Sequence, residues 1–85
     1  MTWKVALHRE ALRGLEDLPK HDQAAIGEAL VGMAANPWNG DVRSLTGPFR
    51  GWFRRRVGKY RIIFRAEKSA HEVIVRSIVH RQSAY

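Results

Sequence analysis

Eighty-five residues, 45% of them apolar and 27% charged, suffice for one domain with a small core and exclude a disordered tail. The absence of cysteine excludes a disulfide framework and any thiolate metal site, and no apolar run approaches the ~20 residues of a membrane helix. The N-terminus, Met1-Thr2-Trp3-Lys4-Val5, lacks the pattern of a signal peptide, so the expectation is a single domain over residues 1–85 in the cytoplasm, with no membrane partner. The net charge of +7 is unevenly spread: residues 1–42 carry −2 and residues 43–85 carry +9, with nine arginines among the latter's eleven basic residues. Guanidinium groups suit bidentate contact with phosphate, so this half favours a polyanion, above all a nucleic acid. A solubilising surface or a docking site for an acidic protein is the alternative.

In chain order, Trp3 to His8 alternates apolar and polar positions and predicts a first strand. From Arg9 the period becomes helical: Ala11, Leu12, Leu15 and Leu18 make one face, and Arg9, Glu10, Arg13, Glu16 and Asp17 the other. Pro19 ends this helix and can start the next, with Asp22 near its positive end. Ala25, Ile26, Ala29, Leu30, Met33 and Ala34 form the second stripe, which Asn36-Pro37 stops. Residues 37–51 are rich in breakers and read as a loop that includes Arg43. Three strands follow: Trp52 to Val57, Tyr60 to Ala66 after a Gly58-Lys59 turn, and Glu72 to His80. The order β-α-α-β-β-β predicts an α+β fold, a helical hairpin on an antiparallel sheet.

Period-2 alternation sorts the strand residues between two faces. Tyr60, Ile62 and Phe64 should pack against the helices, together with Phe53 and Val57. Arg54 and Arg56 then join Arg61 and Arg65 on the opposite, open face. In the last strand Ile74 and Ile78 alternate with Val73, Val75 and Val79, so both faces look apolar; Arg81 shares the parity of Val79 and is placed on the open side. Like charges on adjacent strands repel, which a bound anion would explain and a solvated face would merely tolerate.

The histidines show no paired spacing and no acidic or thiol partner, so no metal or other cofactor is expected. No phosphate-binding glycine loop or nucleophile elbow is present. The run His80-Arg81-Gln82-Ser83-Ala84-Tyr85 sets an imidazole, a guanidinium and a phenol just past the last strand. These groups can exchange a proton, stabilise phosphorane charge and stack on a base. Equally, Tyr85 could fold back on the core and His80 could be an edge residue.

Leu45-Thr46-Gly47, the stretch Phe53-Arg54-Arg55-Arg56-Val57-Gly58-Lys59-Tyr60-Arg61-Ile62-Ile63-Phe64, and Ile78-Val79-His80-Arg81 with Tyr85 resemble RelE-type toxins of the RelE/ParE superfamily of bacterial toxin–antitoxin systems. The resemblance covers nearly the whole chain, including the helical hairpin (Ala11, Leu15, Leu18-Pro19, Asn36-Pro37). It implies a metal-independent endoribonuclease that cuts mRNA in the decoding site of the ribosome, inhibits translation and is held in check by a cognate antitoxin. It also implies roles. Arg54 and Arg56 match the paired basic residues of the family, Arg61 its phosphate-binding arginine, Arg81 the group that assists the leaving oxygen, and Tyr85 the ring that stacks on an mRNA base. Some members carry lysine at the paired positions, where it can serve as general base. Arginine cannot, so Arg54 and Arg56 are cast as electrostatic clamps and His80 as candidate base. The alternative within the superfamily is a ParE-type inhibitor of DNA gyrase, which shares the fold without nuclease activity.

Overall fold

The computed structural model describes residues 2–82. Val5 and Leu7 turn one side of a short strand, β1 (Lys4–Leu7), toward the core. Helix α1 (Arg9–Glu16) follows at once and buries Ala11, with Leu15 and Leu18 partly covered. Leu12, on the expected apolar stripe, lies instead at its edge and is 47% exposed. At the joint between helices the Gln23 side-chain amide donates to the carbonyls of Glu16 (3.1 Å) and Leu18 (3.0 Å), which the end of α1 leaves without helical partners. Helix α2 (Lys20–Ala35) buries Ile26, Ala29 and Met33.

The strands differ from expectation in two respects. Residues 37–51, expected to be a loop, contain a short strand β2 (Val42–Ser44) and a single 3-10 turn at Gly47–Phe49. Val42 packs against the core, which gives this segment an apolar anchor despite its breakers. With β3 (Phe53–Val57), β4 (Tyr60–Glu67) and β5 (Glu72–His80) the sheet has five strands in the order β1-β5-β4-β3-β2. Strands β2 to β5 are antiparallel neighbours, whereas β1 runs parallel to β5, with Val5 opposite Val73 and Leu7 opposite Val75. The helical hairpin is the crossover that returns the chain to the sheet. The α+β class holds, and so does the β-α-α-β-β-β order, with β2 added ahead of its last three strands.

Both helices cover one face. There Ile62 and Phe64 of β4 and Val73, Val75 and Ile78 of β5 meet Ala11, Ile26, Ala29 and Met33. The helix layer sits close: a β-carbon on Gly14 would stand 2.7 Å from the Ile78 carbonyl oxygen. At the far end of the core Trp38 meets Phe53 edge-on at 4.9 Å between ring centroids, and Phe53 in turn lies 5.8 Å from Phe64.

The ambiguity of the last strand has a geometric solution. Phe64 pairs with Val75 but Ile63 pairs with Ser77, so Arg76 is one extra residue in β5. This bulge reverses parity, which lets Val73 and Val75 on one side of it and Ile78 on the other all face the helices.

Candidate nucleic-acid interface

Antiparallel register decides which side chains share the uncovered face. Phe53 opposite Phe64 and Val57 opposite Tyr60 belong to the helix side. Arg54 opposite Ile63 and Arg56 opposite Arg61 therefore belong to the outer side, where Arg65 follows along β4. The expected arrangement of Arg54, Arg56, Arg61 and Arg65 is thus present. Arg56 and Arg61 are direct cross-strand neighbours, a separation of ~5 Å between β-carbons, and like charges so placed oppose folding. In the middle of this charged face Ile63 is fully buried, flanked by Arg54 across the strand and by Arg61 and Arg65 along it. The aliphatic stems of arginine can cover an apolar residue while the guanidinium heads stay wet.

The arginines are not equivalent. Arg54 is tied down: its Nη1 donates to the Asp41 carboxylate at 3.0 Å and to the Asp41 carbonyl at 3.2 Å, and its side chain is 14% exposed. The hydrogen bond from Arg54 holds the Asp41 carboxyl below its usual range, with the charges of Arg43 and Arg56 acting in the same direction. Asp41 also accepts the Arg56 backbone N–H at 2.9 Å through its carbonyl, so it pins the start of β2 to β3. Arg54 thus arrives at the face with its charge largely offset, while Arg56 is exposed and Arg61 half-buried. Arg81 lies in the turn after β5, its backbone N–H bonded to the Lys59 carbonyl at 2.8 Å. That bond anchors the turn beside the β3–β4 hairpin, two residues past Val79, which pairs with Arg61.

Two of the candidate residues do not join this group. His80 is opposite Tyr60 in the register, and the two rings meet edge-on at 5.8 Å between centroids, on the helix side of the sheet. The candidate base and the Arg56–Arg61 pair therefore face opposite ways, because β5 alternates and His80 is one residue out of step with Val79. Tyr85 lies outside the described residues. Among the described residues no group of three or more histidine, aspartate or glutamate side chains could hold a metal ion.

Two further arginines belong to the face and were missed. Arg43, assigned to the loop, lies in β2 opposite Arg54 and so extends the outer face. The alternation of Val42, Arg43 and Ser44 was the available signal. Arg76, the bulged residue, is exposed on the same side, with its guanidinium carbon 5.2 Å from the Phe49 ring centroid and 5.5 Å from that of Trp52. Its signal was the change of parity between Val75 and Ile78. Arg55, by contrast, turns to the helix side opposite Ile62, where its guanidinium packs on Gly40, which sits at φ 88°. A groove beside it, lined by Ala25, Glu28, Ala29, Gly32, Arg55 and Val57, is on the other side of the sheet from the arginine face.

The uncovered face of a small α+β scaffold thus gathers Arg43, Arg54, Arg56, Arg61 and Arg65 into one basic surface. The family model described as "ParE toxin of type II toxin-antitoxin system, parDE" matches residues 5–85. The chain belongs to that family and is a toxin of the RelE/ParE superfamily of type II toxin–antitoxin systems. Its structure is similar to a chain of the RelBE2 toxin–antitoxin complex of Mycobacterium tuberculosis, with 26% identity, a TM-score of 0.86, and 95% of this chain and 100% of that one covered. The archaeal RelE–RelB complex of Pyrococcus horikoshii OT3 gives 26% identity, a TM-score of 0.82, and coverage of 99% and 100%. The isolated RelE toxin of E. coli, at 14% identity, has a TM-score of 0.79 over 96% of this chain and 87% of that one, a likeness of fold. No curated protein sequence matches the chain.

Proposed function

We propose that this toxin is a ribosome-dependent endoribonuclease that cleaves mRNA without a metal ion and so stops translation. The observation that carries the reading is the Arg56–Arg61 pair on the outer face, with Arg81 held beside the same hairpin by the Lys59 carbonyl. Two guanidinium groups directly opposite one another oppose folding, and a phosphate between them offsets that repulsion. In the reaction the 2′-hydroxyl oxygen attacks the adjacent phosphorus, the bond to the 5′-oxygen breaks, and a 2′,3′-cyclic phosphate and a 5′-hydroxyl form. Arg56 and Arg61 stabilise the charge that grows on the non-bridging oxygens, Arg81 that on the departing oxygen, and Arg54 acts as a secondary clamp restrained by Asp41. Tyr85 keeps its proposed role as a base-stacking ring.

No imidazole among the described residues of β1–β5 points to the outer face, and arginine cannot accept a proton. In this reading the attacking hydroxyl loses its proton to water or to a group of the ribosome, and the departing 5′-oxygen takes up a proton from water. That dependence is the physical reason for a ribosome-bound substrate: the chain supplies charge and position, and the decoding site supplies in-line geometry. A cognate antitoxin is the second partner, in keeping with the similarity to RelBE2 and RelE–RelB complexes.

One observation favours a second reading, inhibition of DNA gyrase by binding: the matching family model is that of ParE toxins. The purified protein assayed in parallel on ribosome-bound mRNA and on gyrase supercoiling separates the two. Cleavage on the ribosome, with none of naked mRNA and no effect on gyrase, is expected. Gyrase inhibition without cleavage would replace this reading with the second.

A further inference from the structure

The outer face has a second cluster at the opposite end from the β3–β4 turn. Trp52, just before β3, lies under Arg65 of β4, whose guanidinium carbon is 5.2 Å from its ring centroid. Arg76 stands 5.5 Å from the same ring and 5.2 Å from that of Phe49. Phe49, Arg76, Trp52 and Arg65 thus form a continuous ladder of rings and guanidinium groups. Both arginines are exposed, and neither forms an ion pair among the described residues. The β5 bulge places the unpaired residue here: it projects Arg76 beside the rings while Ser77 takes the position opposite Ile63. Bulges re-aim side chains, and this one aims a cation at two aromatic rings.

We propose that this ladder is a second nucleotide-binding subsite for single-stranded RNA, which holds the phosphate and base of a nucleotide that flanks the reacting one. The proposal rests on the ribonuclease reading above. A guanidinium whose face lies against a ring keeps its in-plane N–H donors for a phosphate, and contact with the ring restrains it in a receptive orientation. An exposed guanidinium plane is also a platform on which a base can lie, independent of base identity. Arg61 and Arg65 are four residues apart on β4, about 13 Å, which is beyond the reach of one phosphate. The ladder therefore meets a different nucleotide from the Arg56–Arg61 pair, and fixes the direction in which the strand crosses the sheet.

The test is an NMR titration of the full chain with a single-stranded RNA of about six nucleotides, and in parallel with a hexaglutamate peptide. The readouts are the Trp52 indole N–H and the Arg65 and Arg76 Nε–H signals. The RNA should move these signals and those of Arg61, and hexaglutamate should move them much less. Arg76→Lys keeps the charge but loses the plane, and should weaken RNA binding by about 10-fold while leaving the rest of the spectrum unchanged. Should Arg76→Lys bind like the parent, the ladder acts as bulk charge and the subsite is refuted. If the RNA binds in an Arg61-dependent way without moving Trp52 or Arg76, the subsite falls and the ribonuclease reading stands. RNA that binds nowhere on the outer face refutes the subsite, while the parallel ribosome and gyrase assays decide the ribonuclease reading separately. An equal response to hexaglutamate makes the ladder a protein-docking surface and overturns the proposal.

Discussion

At the scale of single residues, the arginines of the outer face differ in their neighbours. Arg56 and Arg61 confront one another across β3 and β4, and Arg54 is engaged by Asp41. In the proposed ribonuclease reaction Arg61 is a preorganised donor to the transition state, so Arg61→Ala should lower single-turnover cleavage by ~100-fold, of order 3 kcal/mol. Ribosome affinity should fall far less, since many cations share the attraction to RNA phosphates. Arg43 is unsuitable as a control because it lies on the same face, whereas Arg13, exposed on α1, should be near neutral in the chemical step. Equal effects of Arg61→Ala and Arg13→Ala on that step would remove Arg61 from the reaction. Asp41 gives a pH dependence. Its folded-state carboxyl lies below the unfolded value near 3.8, so its contribution is present above that value and is lost as pH falls through the lower, folded one. Asp41→Asn should flatten the acid limb of a plot of denaturation midpoint against pH below ~4. An unchanged limb would show that the Asp41–Arg54 pair does not couple to folding.

At the scale of elements, two close fits connect the helices to the sheet. The Tyr60 hydroxyl donates to Asp22 in the first turn of α2 at 2.8 Å, and this bond to a carboxylate pushes the phenol pKa up. That contact ties the β3–β4 turn, and with it Arg61, to the helix layer. On the other side of the hairpin of helices, Gly14 lets α1 approach the β5 backbone at Ile78, two residues past the bulged Arg76. Gly14→Ala should press a methyl group into the Ile78 carbonyl and destabilise the chain by ~1–3 kcal/mol, despite alanine's better helix propensity. In a domain of this size such a loss lowers the melting temperature by at least ~5 °C. A gain in melting temperature would mean that α1 can shift outward freely and that the close contact has no energetic weight.

At the scale of the whole molecule, the charge of +9 in residues 43–85 gathers on the sheet while residues 1–42, with −2, supply most of the covering layer. The resulting field is one-sided. It should accelerate encounter with an acidic partner or with ribosomal RNA, and that acceleration should weaken with ionic strength. For a neutralising antitoxin, the association rate should fall at least ~10-fold from about 0.05 to 0.5 M salt, with a much smaller change in dissociation rate. Stopped-flow measurement of both rates checks this. A salt-independent association rate would place the antitoxin on the helix side, away from the arginines.

The periodicities of residues 9–18 and 20–35, the Gly58-Lys59 turn and the alternation around Tyr60 to Phe64 sufficed for the α+β class, the order of the elements other than β2 and the membership of the Arg54–Arg56–Arg61–Arg65 face, because each is a local property of the chain. Registry with distant partners lay beyond that reach. The parallel pairing of β1 with β5 joins residues some seventy positions apart, and β2 is a strand only because β3 offers it an edge. The Arg76 bulge inverts parity within β5, so a uniform alternation could not place Arg76 beside Trp52 and left the core side of the strand undecided. Beyond the bulge it is pairing with Tyr60 that turns His80 from the arginines. Whether two side chains on different strands share a site depends on backbone hydrogen-bond register and on the one extra residue that shifts it, and both are set only when the strands meet.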